Sequence, residues 1–131
     1  MRVCGCGRWI EEGCPECDRD LGFQELRDAN VRRCEESFFA LDHWSPTDWA
    51  CALAGEVGEA CNLVKKLRRG EEVEPYRIGY ELADTVIYAD LLAARLGLDL
   101  GELVRTKFNI VSDRKGSTVK LRALGKGESD A

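Results

Sequence analysis

Apolar residues recur with a helical period over most of the chain after Asp20, and this pattern predicts four helices. Their predicted bounds are, in chain order, about residues 21–41, 45–69, 75–97 and 99–116. No segment shows the alternation of apolar and polar residues that would indicate a half-buried strand. The pattern therefore predicts an all-α fold, a four-helix bundle.

Two of these helices have clear start signals. Ser45 is followed by Pro46 and, three positions on, by Asp48, which predicts a capping box with proline at the first helical position. Asp99 and Glu102 repeat the spacing of the box. We therefore expect the second and fourth helices to begin at these caps.

The third helix is apolar almost all round between Leu82 and Leu96. A short helix with one side in water would carry polar residues on that side. The segment is therefore expected to lie at the centre of the fold or in a subunit interface. This predicts a homodimer or a homotetramer.

A single polar residue, Asn30, interrupts the apolar stripe of the first helix. The stripe consists of Phe23, Leu26, Cys34, Phe38 and Leu41. We expect Asn30 to be a partly exposed polar side chain, with a ligand contact as the alternative.

The composition narrows the class of protein. With 131 residues, 44% of them hydrophobic, the chain fits one globular domain with a small appendage and is too apolar to be disordered. No apolar run approaches the ~20 residues of a membrane helix, and no signal peptide follows Met1, so we expect a soluble cytoplasmic protein with no membrane partner. The net charge of −5 argues against duplex nucleic acid as a partner, but not against a small anion bound through a metal ion.

The seven cysteines fall into two groups. Four thiolates crowd the N-terminus and can close a tetrahedral Zn²⁺ shell with no open position, which predicts structural zinc. They are Cys4, Cys6, Cys14 and Cys17. A reducing cytoplasm favours metal over disulfides, although a redox pair or an unliganded tail remains an alternative. The other three lie within helical patterns and are expected to be small buried hydrophobes: Cys34, Cys51 and Cys61.

This organisation divides the chain into three parts. We predict a zinc knuckle over residues 1–19, a helical catalytic domain over residues 20–116 and a C-terminal tail over residues 117–131.

Two carboxylate pairs carry the strongest chemical signal. Glu56 and Glu59 lie three positions apart on the second predicted helix, and Glu81 and Asp84 have the same spacing on the third. Each pair therefore projects from one helical face, amid alanine, leucine and valine. If the two helices pack antiparallel, the four carboxylates share one cleft, which is unfavourable without cations between them.

Hard oxygen ligands of this kind suit Mg²⁺ or Mn²⁺. The alternative is two exposed surface pairs without a metal. A di-iron site would need Glu-x-x-His on two helices, and the only histidine, His43, lies outside both motifs.

The order of these motifs resembles a known family. Glu56-x-x-Glu59, a spacer of twenty-one residues and Glu81-x-x-Asp84 resemble the signature of the all-α nucleoside triphosphate pyrophosphohydrolases of the MazG-like superfamily. The most specific stretches of this resemblance, which spans about residues 38–121, are residues 52–60, 81–88 and 107–109. The cysteine knuckle is not part of the common family pattern. Short compact members, some with added zinc knuckles, are frequent in phage genomes, where a branch specific for (d)GTP also exists.

The resemblance implies hydrolysis of a (d)NTP, with a leaning toward (d)GTP, to (d)NMP and pyrophosphate in a bacterial or phage-infected cytoplasm. Matched position by position, the ligands of two or more Mg²⁺ or Mn²⁺ ions would be Glu56, Glu59, Glu81 and Asp84. The ions would clamp the triphosphate and activate the water that attacks the α-phosphorus. Glu56 and Glu59 are the catalytic candidates, with Glu56 favoured for orienting or deprotonating that water.

Aromatic residues near the acids are candidates for nucleotide contacts. Tyr88 follows Asp84 by four positions on the same face, where the family pattern also has a tyrosine near the nucleotide. Trp49 precedes Glu56 by seven positions, and Trp44 lies just before the helix cap. Either tryptophan could stack on a base or simply pack at the helix start.

Four polar residues are candidate substrate contacts. Within a basic run that a solvated helix end would explain, Lys66 alone continues the Glu56/Glu59 face. Lys107 and Asn109 resemble substrate contacts of the family, yet two positions on a helix point in nearly opposite directions. Either a neighbouring subunit completes the site or one of the two is a surface residue. Arg114 shares the face of Lys107 and is a candidate phosphate clamp.

A function from another class remains open at this point. The chain could be a zinc-knuckle module that senses nucleotides or docks a partner without catalysis.

Overall fold

Four α-helices build the part of the chain from residue 20 to residue 122. The computed structural model describes residues 2–3, 9–10 and 20–122. The helical elements are α1 (Phe23–Ser37), a 3₁₀ turn (Leu41–His43), α2 (Pro46–Arg68), α3 (Pro75–Arg95) and α4 (Leu100–Arg114). The predicted all-α class and the number of helices are confirmed for this part of the chain.

The first helix is shorter than predicted. It ends at Ser37, and the N–H groups of Phe38 and Phe39 both donate to the Cys34 carbonyl, at 3.0 and 2.9 Å. The chain then turns into the 3₁₀ segment, which the helical periodicity of the sequence did not separate from α1.

Two short strands precede the helices. Strand β1 (Arg2–Val3) pairs antiparallel with β2 (Trp9–Ile10). Two residues are too few to show a period, so the pattern did not predict them. The zinc ligands predicted from the sequence, Cys4, Cys6, Cys14 and Cys17, lie outside the described residues. The zinc knuckle therefore stays a prediction.

The predicted cap of α2 is confirmed atom by atom. The Ser45 hydroxyl accepts a hydrogen bond from the Asp48 N–H at 3.2 Å, and the Asp48 carboxylate accepts one from the Ser45 N–H at 2.9 Å. At α4 the Asp99 carboxylate accepts from the Glu102 N–H at 3.0 Å, which is the forward half of the same motif. Both helices thus begin where the sequence signals place them.

Helices α2 and α3 form an antiparallel hairpin, and their contact is the most extensive in the described chain. Helix α1 packs on α3, and α4 makes smaller contacts with α1 and α3. The buried centre comprises Cys34, Trp49 and Leu91, surrounded by partly buried aromatic and aliphatic side chains. The core therefore lies where α1, the 3₁₀ turn and the start of α2 meet the second half of α3. None of the described helices combines the length and hydropathy needed to cross a bilayer.

Asn30 is not the partly exposed residue that the sequence predicted. It is 3% exposed, and its amide nitrogen donates to the Ile87 carbonyl at 2.9 Å and to the Asp90 carboxylate at 3.1 Å. Asp90, itself 1% exposed, also accepts from Arg27 at 3.0 Å. Burial of Asn30 is tolerated because α3 supplies acceptors for its amide.

The predicted burial of the cysteines is correct only for Cys34. Cys51 and Cys61, both on α2, are exposed. Cys61 lines an open groove between α2 and α3. A helical pattern identifies an apolar face but does not say which neighbour covers it.

The glycines of α2 do not mark a close helix contact. No atom lies within 4 Å of the position that a Cβ would take at Gly55 or Gly58. The close approach occurs instead at Gly101 of α4, where a Cβ would lie 2.7 Å from the Phe23 Cβ. Any larger residue at position 101 would push the start of α4 away from α1.

Candidate metal centre and adjoining aromatic pocket

The antiparallel α2–α3 hairpin brings acids from both helices together. One carboxylate oxygen from each of Glu56, Glu81 and Asp84 lies within 4.8 Å of the others. All three side chains are half-buried. Three of the four carboxylates singled out in the sequence therefore converge at one point between the helices.

The fourth carboxylate, Glu59, lies at the edge of this cluster. Its side chain is exposed, and it does not belong to the triad of converging oxygens. It is nevertheless close enough to share a hydrogen bond with the carboxyl of Glu81 and to act electrostatically on Glu56. Glu59 thus interacts with the cluster but does not contribute one of its three converging oxygens.

Burial and the neighbouring acids together raise the pKa values of two carboxyl groups in the cluster. Burial raises the pKa of Glu56 first, and the negative charges of Glu59 and Asp84 add to the increase. Burial also raises the pKa of Glu81, followed by its hydrogen bond to Glu59 and the charges of its neighbours. No cationic side chain of the described residues is among the groups that shift these two pKa values, so the negative charge of the cluster is not offset there.

One oxygen of the cluster has no donor. The Oε2 atom of Glu81 is buried and accepts no hydrogen bond from the described residues. A buried acceptor without a donor is costly unless a cation or water satisfies it. Three carboxylates at this spacing, one with a free oxygen, are a donor set that fits Mg²⁺ or Mn²⁺. The residues that would hold such an ion are Glu56, Glu81 and Asp84, with Glu59 beside them.

The raised pKa values make a prediction for the metal-free protein. Glu56 and Glu81 bind their protons more tightly in the folded chain than in the unfolded one, so they favour folding at low pH and disfavour it as the pH rises above their ordinary value of 4.5. We expect the melting temperature to fall less steeply between about pH 5 and about pH 8 in Glu81→Gln than in the wild type, because one of the two groups no longer ionises. Thermal unfolding in EDTA measures this difference.

The control for that experiment is Glu72→Gln, which removes an exposed carboxyl outside the cluster. Its melting curve should follow the wild type across the pH range. If Glu81→Gln also ran parallel to the wild type, the electrostatic strain that we attribute to the cluster would be absent.

An aromatic pocket of about 190 Å³ opens on the other side of Tyr88. Residues of α1, the segment after it, α2 and α3 line it: Asn30, Arg33, Cys34, Phe38, Phe39, Trp44, Trp49, Tyr88 and Leu91. A cavity of ~150 Å³ is enough to hold benzene. The pocket is therefore of a size to take one planar ring system and too small for a whole nucleotide.

Tyr88 connects the pocket to the acids. Its ring centroid lies 6.2 Å from that of Trp49 in the pocket wall. Burial raises the pKa of Tyr88, and the charges of Glu56 and Asp84 raise it further, while the nearby Arg33 opposes the increase. The phenol thus lies near both the clustered carboxylates and the aromatic residues of the pocket, on the face predicted from its spacing to Asp84.

The two tryptophans have the packing role that was one of the alternatives in the sequence analysis, and contact with a base stays a prediction. Trp49 is 2% exposed and its indole N–H donates to the Leu41 carbonyl at 3.1 Å, so it is a core residue. Trp44 packs on it with a centroid distance of 4.7 Å, and the Trp44 carbonyl accepts from Arg95. Both rings nevertheless line the pocket, so packing and contact with a planar ligand are compatible here.

The predicted polar contacts lie farther from the pocket. Lys66 is half-buried on α2, and Lys107 and Arg114 are exposed on α4. None of the three lines the pocket. The Asn109 amide donates to the Leu121 carbonyl at 2.8 Å and its side-chain oxygen accepts from the Leu121 N–H at 2.8 Å. In this chain, Asn109 holds the start of the C-terminal tail.

Sequence reasoning offered a ligand contact only as the alternative for Asn30, and it missed the other lining residues Arg33, Cys34, Phe38, Phe39 and Leu91. The only sequence signal was that Asn30 breaks the stripe of α1. A polar residue within an apolar stripe indicates either exposure or a specific buried partner, and only the position of Asp90 decides between them.

Comparison with known proteins adds no relative. No protein-family model matches the chain, and a search of curated proteins found no match.

Proposed function

We propose that the chain is a metal-dependent pyrophosphohydrolase that converts a (d)NTP to a (d)NMP and pyrophosphate. The observation that carries the proposal is the convergence of Glu56, Glu81 and Asp84 beside an aromatic pocket. A nucleoside triphosphate has the two complementary parts: a polyanion that needs cations, and a planar base that stacks on aromatic rings. Tyr88 lies between the two subsites, as the nucleotide sugar would.

In the proposed reaction, the water oxygen forms a bond to the α-phosphorus and the bond from that phosphorus to the bridging oxygen of pyrophosphate breaks. Mg²⁺ or Mn²⁺ held by the carboxylates supplies charge neutralisation at the triphosphate and a more acidic water. Glu56, one of the three converging carboxylates, is the candidate to orient the water and accept its proton. Trp44 and Trp49 form the wall against which the base would stack.

We also propose membership of the MazG-like superfamily, with (d)GTP as the leading substrate. The support is the order of the acidic motifs on an antiparallel helix pair, Glu56 and Glu59 on α2 and Glu81 and Asp84 on α3.

A substrate panel tests the activity. Each (d)NTP is incubated with the protein and Mg²⁺ or Mn²⁺, and pyrophosphate and (d)NMP are measured. We expect release from at least one nucleotide and none in EDTA. Binding of a nucleotide without release by the folded protein would favour the rival function, a nucleotide-sensing module. Release of orthophosphate instead of pyrophosphate would contradict attack at the α-phosphorus.

We propose that the chain acts as a homodimer or homotetramer. Large apolar side chains remain exposed on the α2–α3 hairpin, among them Val64 at 49%, Leu82 at 55% and Val86 at 47%. An apolar groove of about 460 Å³ lies in the same region, lined in part by Val57, Val64 and Leu82. Surfaces of this kind are usually covered by another subunit. We expect light scattering at micromolar concentration to give the mass of a dimer or tetramer, and a monomer mass would contradict the proposal.

The N-terminal cysteines lead to a separate prediction of structural zinc. We expect about one Zn²⁺ per chain by elemental analysis, because four thiolates complete a tetrahedral shell. Cys14→Ser should lower the zinc content and the melting temperature, whereas Cys51→Ser, at an exposed helical cysteine, should change neither. Unchanged zinc content and stability in Cys14→Ser would rule the site out.

A further inference from the structure

The orientation of the Asn30 side chain is fixed by its partners. Its amide nitrogen faces two acceptors, the Ile87 carbonyl at 2.9 Å and the Asp90 carboxylate at 3.1 Å. An amide turned the other way would place its oxygen against both acceptors, so the nitrogen must face α3. Both amide protons are thereby used.

The partner carboxylate is itself held in place. Asp90 accepts from the Arg27 guanidinium at 3.0 Å, and the same guanidinium donates to the Leu98 carbonyl at 2.8 Å. This ion pair keeps Asp90 as an acceptor, which prevents the Asn30 amide from rotating. Arg27 and Asp90 therefore act as positioning residues for Asn30.

The Asn30 side-chain oxygen is the polar atom that remains. The hydrogen bonds of Asn30 with the described residues use its nitrogen and not its oxygen. The oxygen is not fully enclosed by protein, because Glu81 Oε2 is the one fully buried side-chain acceptor without a donor among the described residues. Asn30 lines the aromatic pocket. When a ligand fills the pocket and removes water, an acceptor in this position needs a donor on the ligand. A ligand that presents a second acceptor there would leave two oxygens facing each other.

We infer that Asn30 makes the pocket selective for a nucleobase that carries an exocyclic amino group. The inference rests on the proposed function, since it takes the planar ligand to be the base of a nucleoside triphosphate. Cytosine, adenine and guanine have such an amino group, whereas uracil, purine and hypoxanthine are the matching bases without it. The pocket is lined by Asn30 and Arg33 of α1 and by aromatic residues on which a base can stack.

The first test needs no substitution. The wild-type protein is assayed with three matched pairs, dCTP and dUTP, dATP and the deoxynucleoside triphosphate of purine, and dGTP and dITP. Loss of the donor to an acceptor that the bound base covers predicts a kcat/KM ratio of about tenfold or more in favour of the amino member of the preferred pair. Equal rates within every pair, or a preference for the member without the amino group, would overturn the inference and leave the proposed function intact.

The second test assigns the selectivity to Asn30. Asn30→Ala should bring the ratio within the preferred pair close to one, because the acceptor is gone. Cys34→Ala is the matched control: it also shortens a buried side chain of the pocket but leaves the Asn30 oxygen in place, so the ratio should persist. A ratio unchanged in a folded Asn30→Ala would contradict the assignment. If this variant does not fold, the assay of the wild-type protein with the three nucleotide pairs still tests the inferred selectivity.

Failure of the proposed function is distinguishable from failure of this inference. If no nucleotide is hydrolysed, the same pairs are titrated against the fluorescence of the pocket tryptophans, Trp44 and Trp49. Tighter binding of the amino members would support the role of Asn30 without catalysis. Equal affinities, or no binding of any nucleotide, would overturn it.

Discussion

Asp84→Asn is expected to lower the rate of (d)NTP hydrolysis by about 100-fold or more, with the helices intact. Asp84 supplies one of the three converging carboxylates of the candidate metal centre. Metal-ion catalysis contributes several kcal/mol of charge stabilisation in the transition state, and about 1.4 kcal/mol corresponds to a factor of ten in rate. Pyrophosphate release measures the loss, and circular dichroism of the same sample shows whether the fold persists.

Glu72→Gln is the matched control for this loss, because it removes an exposed carboxyl that lies outside the cluster. It should retain the wild-type rate. Glu59→Gln is expected to abolish turnover as well. Because Glu59 is exposed, this substitution should not disturb the packing of the helices. A full rate in Glu59→Gln would mean that the three converging carboxylates suffice. A full rate in Asp84→Asn would refute the metal centre.

Arg27→Ala is expected to lower the free energy of unfolding by about 3–5 kcal/mol, the usual cost of leaving one partner of a buried ion pair alone. Asp90 is 1% exposed and pairs with Arg27 at 3.0 Å. Without the guanidinium, its carboxylate would stay in the core with only Asn30 as a side-chain donor. Denaturant unfolding of the metal-free protein at fixed concentration measures the change.

Arg32→Ala provides the comparison on the same helix. Arg32 pairs with Glu36 at 3.0 Å, but both side chains are mostly exposed, so its loss should cost about 0–1 kcal/mol. A double variant, Arg27→Ala with Asp90→Ala, should recover part of the stability lost in Arg27→Ala, because no unpaired charge is left. Equally small decreases in the free energy of unfolding for Arg27→Ala and Arg32→Ala would show that the buried ion pair contributes no more to stability than the exposed one.

Much of the helical fold could be predicted from local sequence signals. The capping box of Ser45 and Asp48 and the periodic apolar residues act within a few positions of the chain, which is the range that a sequence shows directly. The convergence of Glu56 with Glu81 and Asp84 was also predictable, because a short loop between two helices makes them antiparallel. These features depend on spacing alone.

The rest depends on contacts between distant parts of the chain. The burial of Asn30 depends on its hydrogen bond to Asp90, which lies sixty positions later in the chain. The apolar pattern of α1 alone does not predict that contact. The exposure of Cys51 and Cys61 has the same origin. Periodicity places an apolar face on a helix, but whether another helix or a second subunit covers it is settled by tertiary and quaternary packing.

The double hydrogen bond between Asn109 and the backbone of Leu121 has a consequence for any ligand that reaches α4. The side-chain oxygen and one amide proton of Asn109 are already in use, so a nucleotide that needs both atoms must displace Leu121. Ligand and tail would then compete for a single residue, and by thermodynamic reciprocity each would weaken the attachment of the other. Shortening the chain before Leu121 would remove that competitor and free the whole amide for binding.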